Sequence, residues 1–187
     1  MHGLYYFIGD RGSGKTSFAT YLAMLEADEG RNVVINYPVN FPHTEMSIAE
    51  MAELPDELLN SIVVIDEGKV AANARRAMSK GNNQLIKLIS QLRKMQSKIF
   101  LISQRYRDVD IAIREDADFV IVMKAENRYS DENIWFNYKI YDQKDQSQSY
   151  FGSIIKTGWF YGPAVFGVFD TTNRIHYDKI EPLKNKD

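Results

Sequence analysis

Gly9 and Gly14 bracket four residues, Asp10-Arg11-Gly12-Ser13, and are followed at once by Lys15 and Thr16. This order of residue types suits one task, the holding of a polyphosphate. Glycines let successive backbone N–H groups turn inward around an anion, and a helix that starts just beyond them adds the positive end of its dipole. On this reading Gly9, Asp10, Arg11, Gly12, Ser13, Gly14, Lys15, Thr16 and Ser17 surround the phosphates of ATP. Lys15 reaches the β- and γ-phosphates, and the Thr16 hydroxyl ligates Mg²⁺. An apolar strand before the loop and a helix after it complete the required context.

A second constellation, Ile62-Val63-Val64-Ile65-Asp66-Glu67, is an apolar strand that ends in two acids. Asp66 suits the Mg²⁺ hydration shell, and Glu67 suits the general base that polarises an attacking water. It follows Lys15 by about 50 residues, with one strand between the two motifs. That arrangement is typical of the additional-strand, catalytic-glutamate class of P-loop ATPases. The chain has neither a guanine-reading Asn-Lys-x-Asp nor a lid like that of nucleoside kinases. An Mg²⁺-dependent ATPase is therefore expected.

Gln104 ends a further apolar strand, where an amide can sense the γ-phosphate or orient the water. Charge on the transferred phosphoryl group calls for one more cation, which many ring ATPases take from a neighbouring subunit. The candidates are Arg75, Arg76, Arg93, Arg105, Arg107 and Arg114. Arg93 ranks first, because its helix leads into the Gln104 strand, and the adjacent pair Arg75 and Arg76 comes next.

Positioning these residues requires an alternation of strands and helices. Buried strands are expected at Leu4 to Ile8, Asn32 to Tyr37, Ser61 to Ile65, Lys98 to Ser103 and Phe119 to Met123. Phe18, Leu22 and Leu25 mark a helix after the loop, with Gly30 past its end. Ser47-Ile48-Ala49-Glu50 has the form of a capping box. Gly68 to Gly81 reads as a basic loop, and Leu85, Leu88, Ile89, Leu92 and Met95 read as an amphipathic helix. Continuous apolar strands between helices indicate a three-layer α/β fold of RecA-like type with a mostly parallel central sheet. This core is expected over residues 1–126. Residues 127–187 read as a β-rich extension of the same domain, with a hairpin from Trp135 to Ile155, a last strand at Val165 to Phe169 and a disordered tail after 182. Trp135 and Trp159 are expected in the core of this appendage, the alternative being stacking on nucleic-acid bases.

Composition bounds the rest. The 187 residues include no cysteine, which removes thiolate metal sites, disulfides and cysteine nucleophiles. His2, His43 and His176 have no ligand spacing. No segment approaches the roughly 18 consecutive apolar residues of a membrane span. The net charge of −2 conceals an asymmetry: residues 1–68 carry 3 basic and 11 acidic side chains, and residues 69–114 carry 11 basic and 2 acidic. A central basic block can face a polyanion, whether nucleotide or nucleic acid, or be solvated helix surface.

Taken together, the glycine loop, Val64-Ile65-Asp66-Glu67, and Leu92-Arg93-Lys94 running into Phe100-Leu101-Ile102-Ser103-Gln104-Arg105 resemble the FtsK–HerA superfamily of DNA-pumping ATPases. Asp108 to Asp118 and the strand after it follow the same pattern. Within that superfamily the chain is most similar to small viral genome-packaging ATPases, and it is related to the zonula-occludens-toxin-like phage assembly proteins that export single-stranded DNA. Leu92 stands where family members often have glycine. The resemblance implies a homo-hexameric ring, double-stranded DNA as partner, and capsid or internal-membrane proteins as further partners. It implies work in the host cytoplasm during assembly, or in association with the virion. A nucleotide-dependent assembly switch that moves no DNA is the reading outside this class.

Overall fold

The computed structural model describes residues 2–53, 55–66, 78–126, 135–145, 149–165 and 167–168. The opening apolar run forms β1 (Gly3–Ile8), covered on both faces. The glycine loop leads into α1 (Lys15–Asp28). This helix ends in a Schellman arrangement, in which Gly30 N–H donates to Ala27 O at 2.9 Å and Arg31 N–H to Glu26 O at 3.0 Å.

β2 (Val33–Ile35) is shorter than the run that encodes it, and β3 (Thr44–Glu45) pairs beside it from a stretch with only loop signals. Ser47 and Glu50 form the capping box, with Ser47 N–H to Glu50 Oε2 at 2.7 Å and Glu50 N–H to Ser47 Oγ at 3.3 Å. It opens α2 (Ile48–Glu53). A 3₁₀ turn (Pro55–Leu58) precedes β4 (Ile62–Asp66), which is buried throughout. α3 (Met78–Lys94) begins inside the stretch expected as loop. β5 (Lys98–Ile102), a 3₁₀ turn (Tyr106–Asp108), α4 (Ile111–Asp116) and β6 (Phe119–Glu126) follow. The hairpin is β7 (Trp135–Asp142) with β8 (Ser153–Tyr161).

The eight strands form one sheet in the order β3-β2-β4-β5-β1-β6-β7-β8. Pairing is parallel from β3 to β6 and antiparallel across β6, β7 and β8. This is the expected α/β P-loop fold. Along the chain β2 and β3 separate the two phosphate-site motifs, but within the sheet the strand between β1 and β4 is β5, the one that ends beside Gln104. Leu4, Tyr6, Val63, Ile65, Leu88 and Leu92 pack on the α2–α3 side. Phe7, Phe18, Ala23, Ile35, Val64 and Phe100 pack on the α1 side.

Three further expectations change. Val165 closes a 3₁₀ turn (Gly162–Val165) and Val168 lies in a turn, so no strand forms at the described part of Val165 to Phe169; Pro163 has no N–H to give a ladder there. β8 runs six residues past Ile155, because the glycine- and aromatic-rich segment pairs with β7 up to Tyr161. Trp135 and Trp159 are not core residues: they are 43% and 54% exposed. The alternation of the strands turns Phe136, Tyr138 and Phe160 towards α1 and the tryptophans to the opposite face. Among the described residues no helix is long and apolar enough to cross a membrane. The tail after 182 lies outside the described residues.

Candidate active site

The loop between β1 and α1 is shaped by what packs behind it. At Gly9 a Cβ would come within 2.3 Å of the Met123 carbonyl oxygen, so β6 leaves space only for glycine. At Gly14 the backbone has φ +83°, and a Cβ would fall 2.6 Å from the ring of Phe136 on β7. The loop is thus pressed from behind by the sheet and by the hairpin. Gly14 is the N-cap of α1 and supplies no side-chain acceptor, and the first turn contains no acid. The amide dipoles at this helix end are left to an external anion.

Lys15 is only 8% exposed, and its ammonium donates to Gly9 O at 2.7 Å and Asp10 O at 2.8 Å, with Ser13 Oγ at 3.4 Å. Burial lowers its pKa below the ordinary lysine value, against the opposing charges of Asp66 and Asp10. Ser13 and Ser17 are buried beside it.

Across the crevice, Thr16 Oγ1 donates to Asp66 Oδ2 at 2.9 Å, joining the two motifs. Asp66 is itself held by Asn36, which follows β2. Asn36 Nδ2 donates to Asp66 O at 3.2 Å, and Asp66 N–H donates to Asn36 Oδ1 at 2.8 Å. Behind Thr16, the Thr20 hydroxyl donates to Thr16 O at 2.7 Å and lies 2.8 Å from the Tyr37 hydroxyl. Complete burial drives the Tyr37 phenol well above its usual range, so it stays protonated. The reading of the sequence passed over Asn36, Tyr37 and Thr20. The signal available was two polar residues at the carboxyl end of a parallel strand, where ligand crevices form in such sheets.

Gln104 is exposed just beyond β5, and its carbonyl accepts from Gly9 N–H at 3.3 Å, which sets it beside the loop. Glu67, Arg75 and Arg76 lie outside the described residues. Arg93 sits beside Gly3, at the end of the sheet away from the phosphate loop. There it pairs with Asp116 and Asp118 at 3.3 Å each. Burial would raise the Asp118 pKa, but hydrogen bonds from Lys144 and Leu4 N–H, with the charges of Arg93 and Lys144, hold it below the usual value. A cavity of about 490 Å³ at this end is lined by Arg93, Asp118, Asp142 and Lys144, remote from the phosphate loop. Arg114 stacks over the Tyr106 ring at 5.2 Å. Arg105 and Arg107, by contrast, are exposed on the connection that follows Gln104.

A hydroxyl and a carboxylate oxygen 2.9 Å apart, at the mouth of a phosphate loop, form a hard-oxygen pair. Among the described residues no group of three or more His, Cys, Asp or Glu side chains could hold a metal unaided. The oxygen pair fits Mg²⁺, which takes one or two protein oxygens and completes its shell with water and substrate phosphates.

Comparison with known proteins agrees with this geometry. The profile of the ATPase family associated with various cellular activities (AAA) matches residues 5–125. No curated protein sequence matches significantly. Among solved structures, the N-terminal domain of zonular occludens toxin from Neisseria meningitidis superposes with a TM-score of 0.59 at 20% identity, covering 91% of this chain and 100% of that one. A KaiC-like protein from Pyrococcus horikoshii OT3 gives 0.56 at 14% identity, covering 85% of this chain and 84% of that one.

Proposed function

Because the chain belongs to the AAA family of P-loop ATPases and is an ATP-hydrolysing enzyme, we propose that it couples hydrolysis to the movement of DNA, as a genome-packaging motor of FtsK–HerA type. In this reading Lys15 leaves the loop carbonyls for the β- and γ-phosphates, and the amides from Gly12 to Thr16 hold the remaining oxygens. Thr16 and Asp66 hold Mg²⁺, which supplies neutralisation of phosphate charge when bound. Glu67 takes a proton from water as its oxygen bonds to the γ-phosphorus, and the bond to the β–γ bridging oxygen breaks, leaving ADP and phosphate. Gln104 orients that water. A cation from a neighbouring subunit completes the site in a ring, six-membered by the resemblance to packaging ATPases. Arg105 and Arg107 now suit that role better than Arg93, which is held by two aspartates.

The basic block carries the DNA reading. Lys87, Lys94, Arg105 and Arg107 are exposed, within a segment of 11 basic and 2 acidic residues in an otherwise acidic chain. The reading places the protein at a preformed capsid in the host cytoplasm, with duplex DNA as cargo. Export of single-stranded DNA is the second reading, favoured by the exposure of Trp135 and Trp159.

ATPase rates measured without DNA, with duplex and with single strands test it. Stimulation by duplex, lost in Glu67→Gln with ATP binding retained, is expected. Rates indifferent to any DNA would sink both motor readings and leave an assembly switch.

A further inference from the structure

Tryptophan is seldom left in water, yet both tryptophans of this chain are exposed, and both lie on one face of one sheet. The register of β6, β7 and β8 shows what surrounds them. Glu126, Trp135 and Tyr161 form one cross-strand row; Lys124, Asn137 and Trp159 form the next; Val122, Lys139 and Thr157 form the third. Trp135 and Tyr161 rings lie 4.9 Å apart. Lys124 and Lys139 are exposed on the rows that hold and follow Trp159.

Two chemistries could cover such a face. The core of a protein interface is depleted of charged residues, lysine among them. Here Asn137 lies beside Trp159, and Lys124, Lys139 and Thr157 border it. Trp159 shares its row with Lys124 and adjoins the row of Lys139, and the Trp135–Tyr161 pair stands one row further on, beside Glu126. Exposed rings with cations along one side suit instead a chain of stacked bases joined by phosphates. We infer that the outer face of β6–β8 is a stacking platform for single-stranded nucleic acid, with Trp135 and Trp159 taking bases and Lys124 and Lys139 taking phosphates.

Its place in the fold connects it to the ATPase site. Phe136, next to Trp135 in β7, turns to the other face and presses on Gly14 of the phosphate loop. A shift of β7 on strand binding therefore bears directly on the loop, and nucleotide binding bears on the platform. The inference rests on the reading of this protein as one that works on nucleic acid.

Since both tryptophans are on the platform, intrinsic fluorescence of the full chain reports on it without a label. Titration with oligo(dT) should quench emission saturably. In a parallel anisotropy titration with labelled oligo(dT), Trp159→Ala should weaken binding about tenfold, within the range of one lost base stack, while Trp159→Phe keeps most of it. Lys124→Gln and Lys139→Gln should each reduce the salt slope by about 0.7. Labelled oligonucleotide that binds with no change in tryptophan emission, or equally well to Trp159→Ala, overturns the platform and leaves the DNA reading standing. No binding of any nucleic acid, with ATPase rates indifferent to DNA, overturns both. A blue shift that grows with protein concentration and ignores oligonucleotide identifies the face as a protein interface, and overturns the platform.

Discussion

Asn36 grips both ends of Asp66 with one side-chain amide, accepting from its N–H at 2.8 Å and donating to its carbonyl at 3.2 Å. Two bonds in opposite senses fix the rotation of that residue about the strand axis. They thereby set Asp66 Oδ2 against Thr16 Oγ1. Asn36 is thus a positioning residue for Asp66, although it carries no charge.

Asn36→Ala is expected to lower kcat by about 10- to 100-fold, the range for loss of a group that orients a metal ligand. The KM for ATP should change little, because the loop and Lys15 are untouched. The Mg²⁺ concentration for half-maximal rate should rise. Steady-state rates across an Mg²⁺ titration check this. An unchanged Mg²⁺ dependence would leave the amide with a merely structural role.

Phe136 and Gly14 provide a second test, because contact and backbone conformation act on the same atom. Gly14→Ala adds a Cβ where φ is +83° and where the Phe136 ring lies 2.6 Å away. The left-handed conformation alone costs about 1–2 kcal/mol, and the clash adds to it. In Phe136→Ala the ring is gone, so adding Gly14→Ala to that background should cost less than it does in the native chain, by about 1 kcal/mol or more. Denaturant titrations of the two single variants and the double variant measure this coupling. Strict additivity would mean that the ring does not hold the loop.

How much of this was legible beforehand depended on range. The loop, Asp66 at the end of β4 and the capping box are local patterns, in which residues a few positions apart satisfy each other, and all three stand where their spacing puts them. The parallel sheet followed from strands apolar on both faces. The Asn36–Asp66 clamp joins residues 30 positions apart, and nothing in a short run near Pro38 says which strand will lie beside β2. The tryptophans failed for another reason. An aromatic-rich hairpin reads as core, but strand alternation allows only every second ring inwards, and Phe136, Tyr138 and Phe160 occupy that side. Arg93 followed the family pattern along the chain, yet the end of α3 delivers it to Asp116 and Asp118.

That placement yields a prediction about acid stability. Asp118 ties β1 to β6 by accepting from Leu4 N–H at 2.9 Å, and it pairs with Arg93 and Lys144. Its folded pKa lies below the ordinary 3.8. The stabilisation is therefore complete above that value and is lost as pH falls through the lower folded pKa. Asp118→Asn should lower Tm at neutral pH and flatten the fall of stability as the pH drops below 3.8. Arg93→Ala should reduce Tm while leaving the ATPase rate of the folded protein within about twofold. Thermal melts across this range, with rates at neutral pH, decide it. A collapse of rate in Arg93→Ala without loss of Tm would return Arg93 to the active site.

Lys15 gives a pH dependence of the opposite kind, with two readouts that move in contrary directions. Burial lowers its pKa from 10.5, despite the nearby carboxylates of Asp66 and Asp10. Between the lowered value and 10.5 the folded protein holds fewer protons on this group than the unfolded chain does. Stability of the nucleotide-free protein from this group therefore rises with pH across that window. Phosphate binding needs the ammonium form, so ATP affinity should fall across the same window, beginning below the pH at which an exposed lysine titrates. Measuring ATP affinity and nucleotide-free Tm at steps from about pH 7 to 10.5 tests both signs, with Lys15→Met as the reference in which neither trend should remain. An affinity that stays level until the ordinary lysine pKa would show that the loop does not hold Lys15 in a desolvated state.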